Sequence, residues 1–392
     1  MTWEYKTLDE LGEISRGRSK HRPRNDSSLF GGKYPFIQTA DVKDANFYIT
    51  EYSETYNEKG LSQSKLWHPG TLCITIAANI ADTAILAIDA CFPDSIMGFI
   101  PFKRISNVKF IKYAFDLLQR DCKQISQGTA QDNLSWQKLS TIKFPAPPIQ
   151  VQDKIVSIIS AYDDLIENNQ KQIKLLEEAA QRLYKEWFVD FRFPGYETTP
   201  IINGLPQGWR RLSMSEIADY LNGYAFKPED WYSEGMPIIK IKELNEGVTS
   251  NTPRNNGEGI PSKYIISSGD ILFSWSATLT AKIWDSEKGL LNQHLFKVTP
   301  AKGIPREFVY QSIIHTLEEF KNLTTGSTMK HIQRGKLDDV VINIPNNDIF
   351  NQYINISEKT RNLIIELNKK VELLIESRDR LLPKLMDGEI KI

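Results

Sequence analysis

Between Gln150 and Phe193 the chain carries neither glycine nor proline, and Ile155, Ile158, Ile159, Tyr162, Leu165, Ile166, Ile173, Leu176, Ala180, Leu183 and Trp187 recur at steps of three and four. That period belongs to a long α-helix with one apolar face. It returns between Asn346 and Leu382, at Tyr353, Ile356, Leu363, Ile364, Leu367, Val371, Leu374 and Leu381. The match also extends upstream at one constant offset, 326 − 128 = 198. Gly128-Thr129-Ala130 answers to Gly326-Ser327-Thr328, Lys138-Leu139 to Lys336-Leu337, Pro147 to Pro345, and Arg182-Leu183 to Arg380-Leu381. Self-similarity over about sixty positions restricts the chain to two similar halves, each closed by a long helix.

Upstream of the helices the halves also begin alike. Trp3, Leu11, Ile14 and Gly17 answer to Trp209, Ile217, Tyr220 and Gly223 at an offset of 209 − 3 = 206. Short β-branched and aromatic runs bounded by turn residues follow: Tyr34 to Thr39 and Thr71 to Ile76, matched by Met236 to Ile241 and Asp270 to Trp275. These read as strands. A shorter helix is expected at about 108–122 and again at about 306–321. Phe193-Pro194-Gly195 through Pro206-Gln207-Gly208 is rich in proline and glycine and reads as a linker. The expected division is a first domain at 1–148, a long helix at 149–190, a linker at 191–208, a second domain at 209–345, and a second long helix with a tail at 346–392. The fold class is α+β, with two mixed, mostly β domains.

Chain geometry orients the helices. A domain of about 140 residues has a radius of gyration of roughly 14 Å, whereas a helix of about 34 residues is roughly 50 Å long. Since the second domain joins the end of the first helix to the start of the second, the second must run back. An antiparallel two-helix coiled coil with an approximate two-fold axis is expected, its apolar stripes wider than a strict two-position seam. Its contacts are assigned to Ile155, Tyr162, Leu176, Leu183, Trp187, Leu367, Leu374 and Leu381, with Asn169 on the stripe opposite Leu367.

The hydrophobic fraction of 41 % and charged fraction of 25 % are those of a globular protein, and no apolar run approaches the roughly 18 residues of a membrane span. The N-terminus lacks a basic-then-apolar signal, so a cytoplasmic protein is expected. Cys73, Cys91 and Cys122 form no C-x-x-C pair and read as buried small hydrophobes. A net charge of −1 leaves a nucleic-acid partner to be decided by local patches.

Three such patches occur at equivalent places. The first is the glycine-marked loop with Arg18, Lys20, His21, Arg22 and Arg24, against Tyr224 and Lys227 in the second half. The second is the set of strand-end polar groups Gln38, Thr39 and Asn79, against Lys240, Lys242 and Thr278. The third is the polar loop with Gln127, Thr129 and Gln131, against Ser327, Thr328, Lys330 and His331. Each is either a solvated turn or a contact with phosphates and base edges. Catalytic motifs are missing: there is no G-x-x-x-x-G-K-[ST] loop, no H-E-x-x-H helix and no glycine-rich cofactor turn. Glu389-Ile390-Lys391 has the Glu-x-Lys form of a nuclease site without a partnering Pro-Asp strand, and the five histidines are scattered.

Gly128-Thr129 through Pro147-Pro148, Gln152-Asp153-Lys154-Ile155, Leu183-Tyr184-Lys185-Glu186-Trp187-Phe188-Val189-Asp190-Phe191, and Arg378-Asp379-Arg380-Leu381-Leu382-Pro383-Lys384-Leu385-Met386-Asp387-Gly388-Glu389-Ile390 resemble the specificity subunit of Type I restriction-modification systems. The resemblance covers the whole arrangement. It implies two target-recognition domains that each read half of a bipartite double-stranded DNA sequence, and a helix pair that spaces them and binds two methyltransferase subunits. It implies no catalysis and no cofactor in this chain; S-adenosylmethionine, ATP and Mg2+ are expected in partner subunits, including two restriction subunits where the system has them. A departure is Pro345-Asn346-Asn347-Asp348, which replaces the usual proline pair and blurs the start of the second helix. The competing reading is a coiled-coil scaffold carrying two β domains for ligands other than DNA.

Overall fold

A computed structural model describes residues 3–76, 82–125, 139–276, 278–322 and 334–392. It divides into two compact units, Met1–Glu167 with Val371–Ile392, and Asn168–Lys370. The longer helices are α1 (Val108–Ile125), α2 (Ile149–Tyr184), α3 (Arg306–Asn322) and α4 (Asn347–Met386). α3 and α4 begin 198 residues after α1 and α2 (306 − 108 and 347 − 149), so the sequence repeat is also a repeat of helix starts.

In the first unit one sheet runs Gly12–Arg16, Ile96–Pro101, Leu72–Thr75, Thr83–Leu86, Tyr48–Ile49, antiparallel except for the last pair. A second sheet runs Glu54–Tyr56, Phe30–Phe36, Ala90–Cys91, Leu66–Trp67, with a parallel pairing of Phe36 and Cys91. The second unit repeats the first four strands of the first sheet, Ala218–Asn222, Leu295–Pro300, Ile271–Ser274, Thr280–Ile283, and the whole order of the second, Arg254–Asn255, Met236–Ile239, Gly289–Leu291, Ile265–Ile266. Leu72-Cys73-Ile74 and Ile271-Leu272-Phe273 are apolar and buried on successive residues, so both faces of these strands are covered. α1 lies over the first sheet through Phe110, Ile111 and Phe115, in one core with Leu72, Ile74 and Phe99. α3 does the same through Phe308, Val309 and Ile313, with Ile271, Phe273 and Phe296.

Each unit also holds one end of each long helix. In the first, Ile155, Val156 and Ile159 of α2 share a core with Leu382, Leu385 and Met386 of α4. In the second, Trp187 and Phe188, on a π-helical turn (Lys185–Val189) that follows α2, pack with Phe350 and Tyr353 of α4. Phe188 meets Tyr353 edge to face at 4.9 Å. The π-helical turn thus carries the Trp-Phe pair into the core of the second unit.

Several expectations are corrected. The first long helix, expected over 149–190, is α-helical from Ile149 to Tyr184 and finishes as the π-helical turn to Val189. α4 starts at Asn347 despite the missing proline pair, because Asn346 Oδ1 accepts from the Ile349 backbone N–H at 3.1 Å. It also runs past Leu382 and through Pro383, ending where Gly388 takes φ 72°. The strands at 34–39 and 236–241 stop at Phe36 and Ile239. Gln38 and Lys240 are instead N-caps of short helices, Thr39–Asp44 and Ile241–Glu246, so Thr39 and Lys242 are helical and are not strand ends.

The helix stripe is wide, as expected. Along α2 and the turn after it, covered positions include 159, 162, 166, 169, 173, 176, 180, 183 and 187, and along α4 they include 353, 357, 360, 364, 367, 371 and 374, at steps that alternate between three and four. Positions 354, 361, 365, 368 and 375 of α4 are half-buried as well and widen the stripe beyond that seam. Leu165, Ile356 and Leu363 are exposed, as are Leu175 and Leu373. Cys73 and Cys91 are buried free thiols, and burial raises both above the usual thiol range. No described helix is long and apolar enough to cross a membrane.

Candidate nucleic-acid interface

The basic loop of the first unit is built by close approach and backbone bonds. A Cβ on Gly17 would lie 2.3 Å from Pro93 O, and one on Gly223 would lie 2.2 Å from Asn292 O, so both loops leave their sheets where only glycine fits. Beyond Gly17 the Arg18 N–H donates to Phe92 O at 2.9 Å and the Ser64 hydroxyl donates to Arg18 O at 2.7 Å. The His21 N–H donates to Gln63 Oε1 at 3.0 Å, and Arg22 Nη1 donates to Ser19 O at 2.7 Å. Ser19 is buried within the loop and the Arg22 guanidinium folds back onto it, whereas Arg18 and Lys20 are exposed.

The loop is less cationic than its sequence indicates. Asp94 folds against it, 2.5 Å from Arg24 and 3.9 Å from Arg22, and His21 Nε2 lies 2.7 Å from Asp26. The neutralising carboxylate comes from a residue seventy positions downstream of Arg24, which the loop's own sequence does not display. Arg18 and Lys20 are exposed, with no carboxylate partner among the described residues. The Asp26 carboxyl is held at about 2, below its ordinary 3.8, first by the backbone N–H of Ser28, then by the Ser28 hydroxyl and His21.

The polar groups after the strands sit on the same backbone device in both units. The Gln38 N–H donates to Asp41 Oδ2 at 2.6 Å, and the Lys240 N–H donates to Glu243 Oε2 at 3.2 Å. What projects from that device differs. Gln38 Nε2 donates to Glu54 Oε2 at 2.8 Å, whereas the Lys240 ammonium stands 3.9 Å over the ring of Trp231. Trp231 is 44 % exposed and its neighbour Tyr232 52 %. Neither was singled out from the sequence, because an aromatic residue read alone belongs more often to a core than to a surface.

The remaining sites are scattered. Lys227 lies 3.7 Å from Glu229 and Lys242 is exposed. Tyr224 is partly buried, packed on Phe226 and Tyr264 at 4.9 and 5.5 Å, so it supports its loop from below. Thr278 is exposed. Asn79, Gln127, Thr129, Gln131, Ser327, Thr328, Lys330 and His331 lie outside the described residues. Of the helix contacts, Ile155, Trp187 and Leu367 are buried, and Tyr162, Leu176, Leu183, Leu374 and Leu381 are half-buried. Asn169, 3 % exposed, occupies a seam position. Among the described residues no cluster of His, Cys, Asp and Glu is arranged to hold a metal ion.

Two repeated domains with differently dressed loops can now be set beside known proteins. The chain is 25 % identical to the MjaIX Type I restriction enzyme specificity subunit of Methanocaldococcus jannaschii, over all of this chain and 94 % of that one. It is 23 % identical to the HindI specificity subunit of Haemophilus influenzae, over 97 % of this chain and 98 % of that one. The fold is similar to the crystal structure of a Type I restriction-modification S subunit from M. genitalium, with a TM-score of 0.59 and 14 % identity over 98 % of this chain and 96 % of that one. The family model described as Type I restriction modification DNA specificity domain matches residues 1–178 and again residues 206–377, and the chain belongs to that family.

Proposed function

We propose that this chain reads a two-part double-stranded DNA target, one half by each domain, and scaffolds two methyltransferase subunits of a Type I restriction-modification complex. The observation that carries the reading is the pair of N-capped turns at Gln38 and Lys240, where one backbone device presents an amide on a glutamate in one domain and an ammonium on an exposed indole in the other. Two sites of common ancestry that read different half-sequences need such a constant frame with variable side chains. Cations there serve phosphates or guanine edges, and amides suit adenine. The polar loops at 127–131 and 325–331 complete the proposed contact set.

The helices act as the spacer. Their ends meet in opposite order within each unit, the start of α2 with the end of α4 and the end of α2 with the start of α4, which supports an antiparallel pair. Exposed Leu165, Leu175, Ile356, Leu363 and Leu373 beside the heptad seam give methyltransferase subunits apolar surface to cover. S-adenosylmethionine, ATP and Mg2+ then act in the partner subunits, and this chain supplies sequence choice. Selection from random duplex pools by the chain with its methyltransferase tests the reading. Enrichment of two short sequences at fixed separation is expected, and recovery of unenriched pools would sink it.

A further inference from the structure

Two segments of the second domain that carry candidate contacts, the loop after Gly223 and the turn at Lys240, meet at an indole. Trp231, at the end of that loop, is 44 % exposed, and Lys240 Nζ stands 3.9 Å from the centre of its ring. Main-chain bonds hold the place. The Lys227 N–H donates to Asp230 Oδ2 at 2.8 Å, and Nδ2 of the buried Asn255 donates to Asp230 O at 2.8 Å. Tyr232 exchanges both backbone bonds with Arg254, at 2.7 and 3.0 Å. A ring presented from a loop fixed in this way loses little freedom when it meets a partner.

The repeat shows that the fold does not require an exposed ring there. In the first domain the 3₁₀ turn at the same place, Ser27–Leu29, is followed by Phe30, which lies 5.9 Å from Phe36 and 5.0 Å from Tyr56 beside a small core. In the second domain the turn is Pro228–Asp230, and the ring that follows it, Trp231, stands at the surface instead. Its indole N–H has no acceptor among the described residues. Lys240 has no carboxylate partner there either, whereas Lys227 on the same loop is paired with Glu229 at 3.7 Å.

This arrangement selects a mode of contact. A ring with an ammonium over one face cannot slide between two stacked base pairs, because a wedge uses both faces. What the indole still offers is an N–H donor beside apolar carbon. Thymine presents the complement in the major groove, an O4 acceptor beside the C5 methyl group. A ring lying level with one base pair puts the ammonium level with the next, since 3.9 Å is close to the rise of about 3.4 Å per step. There an ammonium meets the O6 and N7 acceptors of guanine. We propose that Trp231 and Lys240 together read a thymine and a guanine on adjacent base pairs of the second half-site. The inference rests on the two-part reading proposed above and adds the bases that one domain selects.

Selection from random duplexes by the chain with its methyltransferase gives the second half-site, and base analogues then test the pair. Replacing the contacted thymine by uracil removes one methyl group and should weaken binding about four-fold, the worth of one buried methyl. The same replacement should make no difference to Trp231→Ala, while Trp231→Phe, which keeps ring carbon and drops the N–H, should still respond. Trp231→Ala should bind the parent duplex about ten-fold less tightly and lose its preference at that position alone. Lys240→Ala should relax the choice of the neighbouring guanine and nothing in the first half-site, and it decides the matter should Trp231→Ala not fold. A two-part target whose second half holds no adjacent thymine and guanine overturns this inference and leaves the two-part reading standing. So does a uracil effect that is absent from the parent or equal in Trp231→Ala, or a guanine preference unchanged in Lys240→Ala. Unenriched pools would overturn both.

Discussion

Asp94 neutralises part of the loop that carries the first unit's basic character, since it faces both Arg22 and Arg24. Replacing it by alanine should free two cations, and titration of binding against salt should then show a steeper dependence, by about 0.9 in log–log slope for each added phosphate contact. Lys20→Ala, which removes an exposed cation, should flatten the slope by a similar amount if it touches phosphate. If it reads a base, the loss is about 1–3 kcal/mol and confined to the first half-site. A slope unchanged by Asp94→Ala would show that these arginines do not reach DNA. The same loop has a pH signature. The Asp26 carboxyl is depressed to about 2, so its contribution to folding is present above the ordinary aspartate value and is lost as pH falls through about 2. A carbon-13 titration of the Asp26 carboxyl checks it, and a midpoint near 3.8 would contradict the hydrogen bonds assigned to it. At this scale sequence reading was half complete. It found the cations by their crowding, but Asp94 and Trp231 gain their meaning only from what folding puts beside them.

At the scale of elements the seam separates residues that look alike in sequence. Ile364 and Leu367 are buried on α4, and Leu363 and Leu373 on the same helix are exposed. Ile364→Ala and Leu367→Ala should each cost about 2–4 kcal/mol by loss of burial and a residual cavity. Leu363→Ala and Leu373→Ala should stay within about 0.5 kcal/mol of the parent, yet weaken capture of methyltransferase if they form its docking surface. Chemical denaturation and co-purification read the two effects separately, and equal destabilisation by all four would refute the seam. The helices themselves were legible because 3.6-residue periodicity without glycine or proline has few other outcomes. The sequence places Asn169 on the covered stripe, but Ser357 and Thr360 are covered with no apolar signal and exposed leucines mimic the core. A hydrophobicity pattern cannot weigh a polar residue that is covered.

At the scale of the whole molecule, the proposed spacer makes a metric prediction. Inserting one turn, about four residues at 1.5 Å each, into both α2 and α4 should lengthen the gap between half-sites by roughly two base pairs at 3.4 Å per step, with both half-sequences kept. Selection from random duplexes with the lengthened complex checks this. An unchanged gap, or altered half-sequences, would remove the helices from the role of ruler. The repeat behind this prediction was determined by sequence alone, since a constant offset of 198 survives in the residues that cap, turn and pack, and it reappears in the helix starts. The two-domain α+β plan follows from it, because local periodicity and turn chemistry act over short spans that a sequence displays directly. Tertiary structure decided the rest. The pairing of Phe36 with Cys91 and of Ile238 with Leu290, the shielding of the basic loop by Asp94, and the ion pair of Asp163 with Arg378 all join residues more than fifty positions apart. Their energies depend on distance and burial, which no linear pattern carries.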